Sequence, residues 1–190
     1  KLAIMLDGKL LTDENTSSIL SNLMGIVDLV RLTIQPSKIE QMAPLARSIK
    51  KMGFQVAFNI MYMSKVDLSD DFLSSIHSIR DVDYLYIVDS YGGIQPAELK
   101  RKIEAFRAIS HAKIGFHGHN NLELAFSNTI EAMACGIDIV DCTILGMGRG
   151  AGNLKTELLM TYLVTKKGYN IDMNIMSTLI GLFNDLFNKY

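Results

Sequence analysis

The chain of 190 residues has no excess of charge of either sign: 19 Lys and Arg stand against 20 Asp and Glu, for a net charge of −1. That balance removes the electrostatic basis for a nucleic-acid surface or a polybasic membrane contact. No apolar run approaches the roughly 18 residues of a membrane span, so neither nucleic acid nor membrane is an expected partner. The opening 1–6 is too short for a signal-peptide core and has no small-residue cleavage site. It does not begin with Met and reads as a strand already under way, in a chain that begins mid-fold with room for a targeting segment ahead of it. Tryptophan is absent, and the 2 cysteines, Cys135 and Cys142, are too few for a disulfide framework, which points to a reduced, cytoplasmic setting. What remains, 48% hydrophobic and 21% charged residues, is a globular composition of one domain's length.

Six short β-branched apolar segments stand out, at 2–6, 28–34, 55–61, 84–89, 113–117 and 137–144. Most are continuously hydrophobic rather than alternating, as in parallel strands buried on both faces. Helical periodicity occupies 15–24, 38–52, 96–109, 122–135 and 154–164, with Pro96 at a helix start and Gly136 just past a helix end. Asp172 is placed to cap a last helix with Met176, Leu179, Ile180, Phe183 and Phe187 as its apolar stripe. Strand and helix alternate strictly, which predicts an α/β fold with a parallel sheet. Strand centres recur every 25 to 29 residues. That step suits a (β/α)8 TIM barrel, which takes about 250 residues, and is shared by an open parallel α/β sheet. Residues 1–167 read as the barrel portion, and 168–190 as a C-terminal helix that packs on it or starts a further segment.

The sharpest local signal is Phe116-His117-Gly118-His119-Asn120-Asn121, at the carboxyl end of a predicted strand. Residues two apart on a strand point to one side, so His117 and His119 can aim both imidazoles at one point, as a pair of transition-metal ligands does. The bland alternative is two polar residues at a strand end; the position, where barrel active sites sit, favours metal. A second signal is Gly146-Met147-Gly148-Arg149-Gly150-Ala151-Gly152-Asn153, between the last strand and a helix. It reads equally as an anion-binding turn or a flexible one, and it matches neither a P-loop nor a dinucleotide fingerprint. Asp89 and Ser90, just after the fourth strand, can bond a ligand or simply build a turn. Arg31 is a charge inside a strand and needs an anionic partner, either substrate or a carboxylate such as Asp141. Met61 and Met63 read as core or pocket lining, Cys142 as an inert buried thiol, and His77 and His111 carry no assigned role.

On these residues the stretch 113–159 closely resembles the metal-dependent lyase and aldolase superfamily of (β/α)8 barrels. That group includes HMG-CoA lyase, isopropylmalate and homocitrate synthases and 4-hydroxy-2-oxovalerate aldolase. Asp89-Ser90-Tyr91-Gly92-Gly93 resembles the turn after its sixth strand. The resemblance implies that His117 and His119 ligate a divalent metal, joined by Asn153. It also implies that the backbone at Ser90 holds a substrate carboxylate; Asp89, Arg31, Asn121 and Arg149, the last standing where aldolase loops usually have a small residue, complete the expected substrate-binding set. The family's first strand carries an Asp-Arg-Asp/Glu motif with a metal ligand and a catalytic Arg; this chain has no such motif, and on that alignment it covers strands three to eight. No catalytic residue is therefore assigned within it, and the segment bearing an aldolase acid/base Tyr is also absent or cut short.

The loop and His-Asn-Asn-Leu sequences are most similar to the aldolase branch. The expected activity is divalent-metal-dependent cleavage or formation of a C–C bond next to a 2-oxo acid, through an enolate. Alternatives are an acyl-CoA lyase or a 2-isopropylmalate/homocitrate-type synthase, and a non-catalytic barrel fragment. Mn²⁺ or Mg²⁺ is the expected ion, with Zn²⁺ or Co²⁺ as alternatives. The expected partners are a small 2-oxo or hydroxy acid, a second copy of the chain and an aldehyde dehydrogenase.

Overall fold

The computed structural model describes residues 1–187; residues 188–190 and the Phe187 side chain of the expected apolar stripe lie outside the described residues. Six strands form one sheet: β1 (Ala3–Asp7), β2 (Leu29–Ile34), β3 (Gln55–Ile60), β4 (Tyr84–Asp89), β5 (Lys113–Gly118) and β6 (Ile139–Val140). Their spatial order is their sequence order, and every pairing is parallel. Right-handed crossovers in a constant direction put every connecting helix on the same face, whereas a doubly wound sheet reverses at a switch point. The order is that of a barrel wall.

Among the described residues seven α-helices accompany the strands: α1 (Asp13–Ser21), α2 (Ile39–Lys51), α3 (Asp70–Ser78), α4 (Pro96–Ile109), α5 (Ala125–Ala134), α6 (Thr156–Lys167) and α7 (Met173–Phe187). The Thr12 hydroxyl and the Asn15 amide cap α1 reciprocally, Pro96 opens α4, and Asp172 accepts the Asn174 N–H at the start of α7. Helix α3 goes beyond the periodicity reading, although Ser69 capping the Phe72 N–H, followed by two acids, is a start signal in plain view. The partly buried stripe of α7 holds Met176, Leu179, Ile180 and Phe183, and the helix packs beside the turn at 144–146.

The outer sheet face, with Val30, Leu32, Phe58, Ile60, Leu85, Ile87, Ile114 and Phe116, packs under Ile39, Ile49, Leu99, Ile103 and Phe106 from the helices as the main core. The concave face carries Arg31, Asn59, Tyr86 and His117 instead. Arg31 on β2 reaches Asp141 just after β6. Four strand spacings lie between them, about 19 Å on a flat sheet, far beyond the reach of these two side chains. The sheet must therefore curl, and the molecule is a portion of a (β/α)8 barrel wall rather than a flat open sheet.

The other end of the sheet is pinned by a repeated device. Asp28, Asp83 and Asp138, spaced 55 residues apart, each sit immediately before an even-numbered strand. Their carboxylates accept the backbone N–H groups of Leu2, just before β1, of Val56 in β3 and of Ile114 in β5, at 2.7, 2.8 and 2.8 Å. The interval is two βα units, so each carboxylate satisfies a strand-end donor that the ladder leaves open.

The last strand is shorter than the expected 137–144. Its ladder ends when the Asp141 N–H bonds Phe116, because β5 then turns away: His119 pairs with Asn153 and Thr143 with Lys155. Asp138 and Asp141 thus flank β6 rather than lie within it.

Candidate active site

Strand alternation does what the His-x-His spacing requires. His117 and His119 line one cleft of about 560 Å³ at the carboxyl ends of the strands, with ring centroids 5.2 Å apart. The same cleft is walled by Asn59, Met61, Tyr62, Val88, Arg149 and Asn153.

Register, rather than local sequence, supplies the group that orients His117. Phe116 faces Val140 across the β5–β6 ladder, which sets His117 beside Asp141. The His117 Nδ1 lies 2.8 Å from Asp141 Oδ2. The same carboxylate takes both Arg31 nitrogens, Nη2 at 2.6 Å and Nη1 at 3.1 Å. Burial pushes the Asp141 carboxyl up, but the hydrogen bonds from His117 and Arg31 outweigh it and hold it below the usual carboxylate range. An ionised carboxylate only accepts, so Nδ1 carries a proton, and in the neutral ring it is Nε2 that keeps the lone pair. This carboxylate–imidazole arrangement fixes the ring of a metal-binding histidine.

Arg31 is itself held on three sides. Its Nε donates to Asn59 Oδ1 at 3.2 Å, and its guanidinium lies 3.9 Å from the centroid of the Tyr86 ring. Burial, and next the Asp141 charge, push the Tyr86 phenol far up, so it stays protonated. Of the two roles open to Arg31 in the sequence, the geometry provides the carboxylate partner.

Burial lowers the His119 imidazole's affinity for a proton, as would a positive charge on the neighbouring His117, while a hydrogen bond donated to the Arg149 backbone carbonyl acts oppositely. The balance keeps His119 neutral, the form that binds a metal. Asn153 arrives from the glycine-rich loop through its bridge to His119. Its Nδ2 donates to the Met147 carbonyl at 2.9 Å, while its Oδ1 is out of solvent with no hydrogen-bond partner. A Cβ on Gly148 would lie 2.6 Å from that amide nitrogen, so the loop makes a cradle that only glycine leaves open. Two imidazoles and an orphaned amide oxygen fit a divalent cation on an open face. Among the described residues, no group of three or more His, Cys, Asp or Glu converges to complete a cage.

The other expected substrate-binding residues fall in two places. Arg149 lines the cleft. Asp89 is fully buried and accepts the Gly93 and Ile94 N–H groups at 3.0 and 2.9 Å, building the turn after β4. Burial raises its pKa, and those two bonds counter the rise. Ser90 Oγ accepts the Tyr62 N–H at 2.9 Å. Asn121 sits between Gly92 and Gly150, joining the β4 turn to the glycine-rich loop. Met63 is in the core and Met61 in the cleft wall.

Two residues of the site go beyond the sequence reading. Asp141 is there only a candidate partner for Arg31, and the structure makes it also the residue that orients His117. Tyr62 carried no signal; it adopts φ 62° and ψ 29°, a left-handed conformation that costs a bulky side chain about 1–3 kcal/mol.

A model of the HMGL-like family matches residues 30–181. A 4-hydroxy-2-oxovalerate aldolase of Thermus thermophilus is 35% identical over 157 residues, covering 80% of this chain and 44% of that protein. An oxaloacetate decarboxylase of Mycobacterium tuberculosis is 34% identical over 139 residues, covering 72% of this chain and 41% of that one. The chain thus spans less than half the length of these curated relatives. Among solved structures, the N-terminal domain of a proposed aldolase from Bacteroides vulgatus superposes with a TM-score of 0.94 at 47% identity, over 100% of this chain and 64% of that one. The carboxyl transferase domain of Rhizobium etli pyruvate carboxylase shares the fold, with a TM-score of 0.83 at 17% identity over 98% of this chain and 35% of that one. No described helix is long and apolar enough to cross a membrane.

Proposed function

Because the chain belongs to the HMGL-like family, we propose that it carries the metal-binding half of a divalent-metal-dependent C–C lyase acting on 2-oxo acids. The observation that carries this reading is the His117 ring, pinned through Nδ1 to Asp141 with Nε2 free in the cleft it shares with His119 and the orphaned Asn153 Oδ1.

The two named relatives support a common chemistry. A 4-hydroxy-2-oxo acid loses its C4 fragment as an aldehyde, and oxaloacetate loses it as carbon dioxide. In both, the C3–C4 bond breaks and its electron pair passes to C3 and the keto oxygen; a proton returning to C3 completes pyruvate. In the aldol case the 4-hydroxyl proton leaves as C4 becomes a carbonyl. A divalent cation, Mn²⁺ or Mg²⁺ first among the candidates, supplies Lewis-acid stabilisation of the charge that develops on the keto oxygen. His117, His119 and Asn153 hold it. Asp141 keeps His117 in the ligating tautomer, and Arg31 keeps Asp141 ionised. Arg149, a cation on the cleft wall, receives the substrate carboxylate. An aldehyde product is reactive, so transfer to an aldehyde dehydrogenase suits this reaction.

The test is calorimetric titration of Mn²⁺ into the full-length protein, with pyruvate release from 4-hydroxy-2-oxovalerate as the activity. His117→Ala and His119→Ala should each abolish saturable binding and pyruvate release. Binding that survives both substitutions removes the metal site. Free coenzyme A released from an acyl-CoA donor with a 2-oxo acid acceptor moves the protein to the synthase branch.

A further inference from the structure

Tyr62 is the one cleft-lining residue, other than glycine, that the described chain holds at positive φ. Three contacts maintain it. Its N–H donates to Ser90 Oγ at 2.9 Å, its carbonyl accepts the Lys65 N–H at 2.8 Å, and its ring stacks on Tyr91 at 5.5 Å and 30°. The turn that supplies Ser90 and Tyr91 is in turn seated on the metal-binding loop. A Cβ on Gly92 would lie 2.8 Å from the His119 carbonyl and 2.6 Å from the Asn121 N–H nitrogen, so the two backbones touch there. The strained tyrosine, its two supports and His119 thus form one connected unit.

Backbone strain persists where the surroundings over-determine it, and it concentrates at functional sites. The turn after β3 could be made at no such cost with glycine in this position. The tyrosine side chain is what the strain retains, and Tyr62 lines the cleft with Met61 and Val88. His117, His119, Asn153 and Arg149 form the polar part of the same cleft. A 2-oxo acid with its carboxylate and keto oxygen at that polar part turns its C3 substituent to the apolar wall.

Resting on the function proposed above, we propose that Tyr62 is the specificity-determining residue of the cleft. Its ring is a fixed wall that limits the size of the group carried on C3 of the 2-oxo acid. Tyr91 backs the ring and prevents it from swinging aside, and Ser90 is a positioning residue that acts through the Tyr62 backbone rather than on substrate.

The experiment compares binding of pyruvate and of phenylpyruvate, which carries a phenyl group on C3, by calorimetry on the full-length protein with saturating Mn²⁺. Wild type should prefer pyruvate. Tyr62→Gly and Tyr62→Ala should each shift the ratio of dissociation constants at least tenfold toward phenylpyruvate. Tyr62→Phe, which keeps the wall, should keep the wild-type ratio. Thermal unfolding separates wall from scaffold: Tyr62→Gly should melt no lower than wild type, because glycine accepts the backbone conformation, while Tyr62→Ala should melt below Tyr62→Gly. A ratio unchanged in both small variants overturns the assignment while leaving the lyase reading intact. A wild-type protein that binds Mn²⁺ but neither acid overturns both.

Discussion

Replacing Asp141 with Asn keeps the shape of the side chain and removes one negative charge from a nearly dry cluster. Asp141 and Arg31 are 17% and 13% exposed, and three donated hydrogen bonds of 2.6, 2.8 and 3.1 Å end on the carboxylate. Removing one partner of such a buried pair costs about 3–5 kcal/mol, because the other charge is left uncompensated. Arg31 keeps Asn59 and the Tyr86 face, so the lower end applies, about 3 kcal/mol. For a chain of this length each kcal/mol moves the melting temperature by about 2–4 °C, so Asp141→Asn should melt about 6–12 °C lower in a thermal scan at neutral pH. The same change frees the His117 Nδ1–H from its carboxylate, and Mn²⁺ affinity should fall about 10–100-fold by calorimetry. The sign with pH follows from the depressed carboxyl. Its stabilisation is complete above the unfolded value of about 3.9 and is lost as pH falls through the lower folded value, so wild type and variant should converge in acid. Removing both charges with Arg31→Met and Asp141→Leu should recover most of the lost stability. An Asp141→Asn protein that melts within about 2 °C of wild type, less than the effect of 1 kcal/mol, refutes the assignment of this pair as a buried tie across the barrel.

Gly152→Ala should destabilise the chain by about 1–3 kcal/mol in urea unfolding and weaken Mn²⁺ binding, because φ is +86° and the new Cβ would run into the Gly146 carbonyl oxygen. Wild-type Mn²⁺ affinity in that variant would show that the loop does not place Asn153. Asp83→Ala should cost about 1–3 kcal/mol by leaving the Val56 N–H and the Lys50 ammonium without their carboxylate, yet leave Mn²⁺ affinity unchanged, since it lies at the opposite end of the sheet.

Much of the site was legible locally. His117 and His119 share a side because strand periodicity is two, and that relation needs no neighbour. The glycines at 146, 148, 150 and 152 mark a backbone that must turn tightly and approach closely, which is again a local property. Ser90, by contrast, reads as a ligand-facing hydroxyl until Tyr62, 28 residues earlier in the chain, is found donating to it. Helix α3 escaped because its apolar residues, Phe72, Leu73 and Ile76, make too short a stripe to announce a period, although Ser69 announces its start.

The sequence by itself determined the alternation of strand and helix, the step of 25 to 29 residues and the pairing of the two imidazoles, because each depends on intervals no longer than one βα unit. Only the tertiary structure decided that Asp141 orients His117, that Arg31 reaches Asp141 from a strand 110 residues away, and that Tyr62 stands strained in the cleft wall. Those relations come from parallel register and from the curl of the sheet, which bring together side chains whose separation in sequence carries no periodic signal.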